Sequence, residues 1–184
     1  MQIQKLPATA SQDRTSHERG PRSFRKRDRL SDRISELRAA TGITDYEALA
    51  GLVALELTPE TARLLYLLPA VEVAWSEGGL SARERKLICD LAALRGVRQG
   101  SPAFEMLAGW LERPLPEGHF ERSLAVIKAS LDAMPVRMSA ASARTLVAQC
   151  AEVAAASRES WADRDRIGSR ELSTLEQIVA TLEA

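Results

Sequence analysis

One pattern occurs twice in this chain, first from Trp75 to Glu84 and again from Trp161 to Glu171. In each copy an apolar helical run ends at the tryptophan, an acidic residue follows two positions later, and an aliphatic residue precedes the final glutamate by four positions. The two tryptophans are 86 positions apart and the two final glutamates 87, so the copies differ by one loop residue. Internal similarity of this kind is typical of a duplicated supersecondary unit, here a helix, an acidic turn and a second helix.

The acidic turns contain the candidate functional residues. In the first copy two glutamates flank a Gly-Gly turn, and in the second copy three acidic residues flank a turn that contains Gly168. Glycine allows a tight turn, and carboxylates at a helix entrance can converge on a hard cation that prefers oxygen ligands. The candidate cation is Ca²⁺ or Mg²⁺, and the candidate metal ligands are Glu77, Glu84, Asp163, Asp165 and Glu171.

A purely structural interpretation of the same residues is open as well. Glu84 is the third residue of a capping box that begins at Ser81, and Glu171 is an acidic residue of the kind favoured near a helix N-terminus. An EF-hand is disfavoured, because the segment from Asp163 to Gly168 lacks the third acidic position and the distal glutamate of that loop.

The rest of the chain predicts an all-α fold. Apolar residues recur at helical spacing, no segment sustains a period of two, and aromatic residues are only 4% of the chain, so Leu and Ala must supply most of the packing. We predict a bundle of about eight helices with an internal helix-turn-helix duplication. A central buried helix is expected from Glu60 to Trp75 with a kink at Pro69, and Leu80 and Ile167 are expected to be buried at equivalent positions. The other predicted helix starts are Ser31, Thr44, Ser81, Ser101, Glu117, Ser139 and Ser169.

Charge divides the chain into two predicted regions. The formal net charge is zero, yet residues 1–33 contain nine Lys and Arg against four Asp and Glu. We assign 1–30 to a basic flexible N-terminal arm and 31–184 to the helical domain. The arm could be solvated, could fold back on the acidic bundle, or could neutralise phosphates of nucleic acid or of an anionic membrane surface through Arg22, Arg25, Lys26, Arg27 and Arg29.

Several classes of protein are disfavoured by features that the sequence lacks. No apolar run is long enough to span a membrane and no secretory h-region begins the chain, so we expect a cytoplasmic protein. Cys89 and Cys150 have no second Cys or His at ligand spacing, and are expected to be reduced. His17 and His119 have no catalytic partner at a recognisable spacing, and there is neither a phosphate loop nor a Gly-x-Ser-x-Gly motif. These observations favour a non-enzymatic protein.

The segment from Leu68 to Glu84 resembles the signature of the TerB-like (tellurite-resistance B) superfamily, in which a helix ends Ala-x-Ala-Asp-Gly and continues Ile/Leu-Ser-x-x-Glu. Gly78, Leu80, Ser81 and Glu84 match this signature, and Glu77 stands where the family usually has Asp. The resemblance is clearest over residues 60–96. Over 146–183 it is weaker, because Asp163 or Asp165 takes the acidic position and no Gly follows it.

The resemblance implies an all-helical, internally duplicated bundle, acidic residues that hold divalent cations, and roles in stress response or membrane-associated assemblies rather than established enzymology. We therefore expect a non-enzymatic TerB-like module that binds a divalent cation or a protein partner through its acidic turns. Two alternatives are open. One is a metal-dependent enzyme in which Glu77 or Glu84 is a base or a metal ligand, and the other is weak binding of nucleic acid or an anionic surface through the basic arm.

Overall fold

The computed structural model describes residues 21–156 and 168–183. This part of the chain contains eight α-helices, one 3-10 helix and no strand, which confirms the predicted all-α bundle. The internal duplication stays a prediction. The elements are α1 (Pro21–Thr41), α2 (Tyr46–Ala54), the 3-10 helix (Ala62–Leu67), α3 (Leu68–Trp75), α4 (Ala82–Leu94), α5 (Pro102–Glu112), α6 (His119–Asp132), α7 (Val136–Ala156) and α8 (Ser169–Glu183).

Helix α3 lies at the centre of the bundle. It packs against the 3-10 helix, α4, α6, α7 and α8, and Leu68, Val71 and Val73 are fully buried. At its C-terminal end the indole Nε1 of Trp75 donates a hydrogen bond of 2.9 Å to the carbonyl of Trp110 in α5. Because the first acidic turn follows Trp75 directly, this contact and the buried helix hold the start of the turn in place.

The expectation of one kinked helix from Glu60 to Trp75 is wrong. The segment instead consists of the 3-10 helix followed by α3, and Pro69 is the second residue of α3. A proline is tolerated there because the first amides of a helix have no intrahelical acceptor, so the missing N–H costs no hydrogen bond. The predicted burial of this segment is confirmed, since most of its residues are inaccessible to solvent.

Several other helices differ from the predictions at their N-terminal ends. Residues 21–30 are already helical, so α1 includes residues before the predicted start at Ser31, where Arg and Lys are good helix formers. It extends into the segment that we assign to a flexible arm, whose residues 1–20 lie outside the described part. Helix α2 is capped by Asp45 rather than Thr44, because Oδ1 of Asp45 accepts from the amide of Ala48 at 2.7 Å. Helix α6 begins at His119 rather than Glu117, and helix α7 begins at Val136 rather than Ser139. Ser169 does not cap α8 as the sequence predicts, because it is the first helical residue and Gly168 has the cap position.

Cys89 is half-buried and Cys150 is buried, and both are free thiols, as the sequence predicts. Of the helices described in the structure, none has the length and apolar character needed to cross a bilayer.

Candidate acidic site at two helix entrances

Glu84 closes a capping box at the start of α4. The hydroxyl of Ser81 accepts a hydrogen bond from the amide of Glu84 at 3.2 Å, and Oε2 of Glu84 accepts one from the amide of Ser81 at 2.7 Å. Each side chain therefore satisfies an amide that the helix itself leaves without an acceptor. This confirms the capping interpretation of Glu84.

Glu171 has the same position in α8. It is the third residue of the helix, and its Oε2 accepts a hydrogen bond of 2.8 Å from the amide of Gly168, the residue before the helix. The other half of a capping box cannot form, because Gly168 has no side chain that could accept a hydrogen bond from the first turn.

Glu77 supplies this missing acceptor from the other acidic turn. Its Oε1 accepts a hydrogen bond of 3.1 Å from the amide of Arg170, 93 positions along the chain. The carboxylate lies directly over Gly168, where a Cβ atom would overlap Glu77 Oε1 and Cδ. The first acidic turn therefore caps α8, and the absence of a side chain at Gly168 makes room for it.

Glu84 and Glu171 are both about 1% exposed. Burial raises the pKa of Glu84 above its ordinary value, the hydrogen bonds from Ser81 act in the opposite direction, and the negative charge of Glu171 raises the pKa further. The two buried carboxylates are thus close enough to repel each other. The ion pairs found in the described residues, Lys86–Asp90 and Lys128–Asp132, involve neither of them.

Of the five predicted metal ligands, Glu77 and Glu171 both accept hydrogen bonds at the start of α8, and Glu84 lies close enough to Glu171 for their charges to repel. We call these three residues the acidic cluster. Asp163 and Asp165 lie outside the described residues, as does Ile167. Within the two described ranges, no group of three or more His, Cys, Asp and Glu side chains is arranged to hold a metal ion. Leu80 is half-buried rather than fully buried, and it packs against the core.

Sequence reasoning missed the contact between Glu77 and the start of α8. Local spacing cannot reveal a hydrogen bond between residues so far apart. The sequence nevertheless contains one indication that α8 needs a cap from elsewhere. The position of Ser81 in the first copy corresponds to Gly168 in the second, so the second helix lacks a cap of its own and needs an acceptor from elsewhere.

Comparisons of the chain with models of protein families, with curated proteins and with solved structures gave no match.

Proposed function

We propose that this chain is a non-enzymatic, TerB-like helical module that binds a divalent cation, Ca²⁺ or Mg²⁺, at the acidic cluster. The observation that carries the proposal is the juxtaposition of two buried carboxylates, Glu84 and Glu171, for which the described residues provide no cationic partner. The TerB-like assignment and a role in stress response rest on the sequence resemblance alone.

A bound cation would compensate the negative charge of the buried pair. A buried carboxylate loses the solvation of its charge, and a second carboxylate nearby adds repulsion, so proteins commonly pair such groups or use them to coordinate metals. A divalent cation between Glu84 and Glu171 would offset both costs. Carboxylate oxygens are also the ligands that Ca²⁺ and Mg²⁺ prefer.

Each member of the acidic cluster uses one carboxylate oxygen in the hydrogen bonds between described residues. Oε2 of Glu84, Oε2 of Glu171 and Oε1 of Glu77 accept these bonds, and within the described residues the second oxygen of each carboxylate accepts none. Because Ca²⁺ takes about 6–8 oxygen ligands, the proposal requires further ligands. Water and the carboxylates of Asp163 and Asp165, which precede Gly168 in the chain, are the candidates.

Burial also favours a small cation over a protein partner at this site. A macromolecule cannot contact carboxylates that are about 1% exposed, whereas an ion can. Glu77 is exposed and lies at the entrance of α8, so it offers a route by which an ion could reach the buried pair.

Isothermal titration calorimetry with CaCl₂ and with MgCl₂ tests the proposal. Wild type is compared with the double variant Glu77→Gln, Asp165→Asn, in which the amide oxygen of the introduced glutamine can still accept from the amide of Arg170. We expect saturable binding to wild type and at least about tenfold weaker binding to the variant, equivalent to about 1.4 kcal/mol.

The matched control is Glu121→Gln, which removes a first-turn carboxylate from α6 and leaves both acidic turns intact. Its affinity should equal that of wild type. The proposal fails if wild type binds neither cation at millimolar concentration, or if the double variant binds as tightly as the control.

A second proposal concerns α1 and is favoured by the helical structure of residues 21–30. In the sequence, positions 22, 25, 26 and 29 are all Arg or Lys, and their three- and four-residue spacing is the spacing of residues on one side of a helix. We propose that this side of α1 binds an anionic membrane surface.

Sedimentation with phosphatidylserine vesicles should remove the protein from solution at low salt but not at high salt. Equal sedimentation with purely zwitterionic vesicles would contradict this.

A further inference from the structure

A groove that contains none of the acidic-cluster residues lies between α1, the 3-10 helix and the C-terminal ends of α4 and α6. It continues along α7. It consists of two adjoining cavities of about 360 and 410 Å³. Tyr66, Arg95 and Met134 line both of them, so these residues stand at the junction. Volumes of this order are typical of small-molecule sites, which span about 300–1,000 Å³.

The walls of the groove are mainly apolar. Leu52 and Leu65 are buried core residues that line the first cavity, and Leu146 is a buried residue that lines the second. Met134 is half-buried and packs against the core from the junction. A hydrocarbon segment in either cavity would therefore leave water for an apolar environment, which favours its binding by roughly 25 cal/mol per Å² of surface buried.

Arg95 adds a cation to this apolar groove. It is half-buried, and burial lowers the pKa of its guanidinium, which nevertheless stays charged at neutral pH. No Asp or Glu lines either cavity, and no ion pair to Arg95 is found in the described residues. The neighbouring thiol of Cys150 provides no counter-charge, because burial raises its pKa to about 12.

The guanidinium is held in position but is not saturated with acceptors. Its Nη1 donates to the carbonyl of Leu91 at 3.2 Å and its Nη2 donates to Oε1 of Gln149 at 2.6 Å. A guanidinium has five N–H donors in a fixed plane, so three have no acceptor among the described residues and can serve a ligand. Tyr66 adds a half-buried phenol, whose pKa is raised by burial, while a hydrogen bond with Ser130 acts in the opposite direction.

We propose that this groove binds a small amphipathic carboxylate, of the class of a medium-chain fatty acid, with its carboxylate on Arg95 and its hydrocarbon chain in one of the apolar cavities. A planar carboxylate matches the fork of a guanidinium, which can hold it through two parallel hydrogen bonds. The charge of the groove disfavours the chain's own N-terminal segment, because residues 1–28 carry more Lys and Arg than Asp and Glu. The proposal is independent of cation binding at the acidic cluster.

Calorimetric titration with sodium decanoate, below its micellar concentration, tests the charge requirement. The test variant is Arg95→Gln, and the matched control is Arg98→Gln, which removes an exposed arginine that lines neither cavity. We expect at least about tenfold weaker binding to Arg95→Gln and unchanged binding to Arg98→Gln. Decanol, which has the same chain and no charge, should bind wild type at least about tenfold more weakly than decanoate.

A measurement on wild type locates the ligand even if Arg95→Gln folds poorly. With ¹³C-methyl-labelled methionine, decanoate should shift the NMR signal of Met134 and leave that of Met106 in α5 unchanged. Absence of decanoate binding, equal affinity for decanol, equal affinity of the two arginine variants, or a shift at Met106 without one at Met134 would each overturn the proposal.

Discussion

Two opposing effects act on the carboxyl group of Glu84. The amide of Ser81 donates to it, which favours the charged form, whereas burial and the charge of Glu171 oppose that form, and the net result is a raised pKa. The folded protein therefore holds this proton more tightly than the unfolded chain does. Between the ordinary pKa of 4.5 and the raised folded value, the free energy of unfolding must fall as the pH rises.

The variant Glu84→Gln tests this linkage, because its amide oxygen can still accept from Ser81 but carries no charge. We expect the variant to gain stability relative to wild type at neutral pH and to gain none below pH 4.5, where the Glu84 carboxyl is protonated in both states. Urea unfolding in the presence of a chelator, at one pH on each side of this window, measures the difference. An identical difference at both pH values would contradict the assigned cause.

A second prediction follows from the contact between Glu77 and Gly168. A methyl group at position 168 would displace the Glu77 carboxylate from the amide of Arg170, so Gly168→Ala should cost about 1 kcal/mol, the usual worth of a helix cap.

A double-mutant cycle separates this cap from other effects. In a Glu77→Ala background, the cost of Gly168→Ala should become smaller, because the hydrogen bond is already lost. The control is Gly79→Ala, since a Cβ atom at Gly79 meets nothing within 4 Å. Strictly additive costs for Glu77→Ala and Gly168→Ala would show that the two residues do not act together.

The packing of α2 on α6 illustrates how tertiary contacts override helix propensity. A Cβ atom at Gly51 in α2 would overlap Cγ2 of Val126, which is buried in α6. Valine cannot easily move aside, because its side chain is stiff at χ1. The glycine therefore sets how closely the two helices approach.

We predict that Gly51→Ala lowers the free energy of unfolding by about 1–3 kcal/mol through overpacking. Propensity alone would predict a gain of about 1 kcal/mol, and that gain is expected for the control Gly109→Ala in α5, where a Cβ atom meets nothing within 4 Å. Chemical denaturation measures both. Adding Val126→Ala to Gly51→Ala should recover part of the loss, and a stabilising Gly51→Ala would refute the close contact.

A helix start can be predicted from the sequence when a nearby side chain caps it. Ser81 and Ser101 are recognisable as caps because their hydroxyls serve the first-turn amides within three residues, an interaction that local sequence encodes. The predicted start of α2 is wrong by one residue because Thr44 and Asp45 are both good caps, and local sequence does not decide between them. The 3-10 helix is not predicted because its apolar composition is equally compatible with a buried α-helix.

For the molecule as a whole, the sequence predicts the all-α fold, and it identifies the glutamates of the acidic cluster as candidate metal ligands. It does not predict that Glu77 caps α8, nor that Arg95 lies in an apolar groove. Both features join residues more than 50 positions apart, and such pairings depend on how the helices pack rather than on any local period. The same packing places two carboxylates together in the interior, which is the basis of the proposed cation site.

Mn²⁺ is the most direct probe of that site, because it broadens the NMR signals of nearby amides steeply with distance. We predict that substoichiometric Mn²⁺ broadens the amides of Ser81 and Gly168, at the entrances of α4 and α8, and that excess Mg²⁺ restores them. The amide of Leu182 should be far less affected, since the helical rise places it roughly 20 Å from Gly168. Uniform broadening along α8, or signals at Ser81 and Gly168 that Mn²⁺ does not change, would contradict a cation site at the acidic cluster.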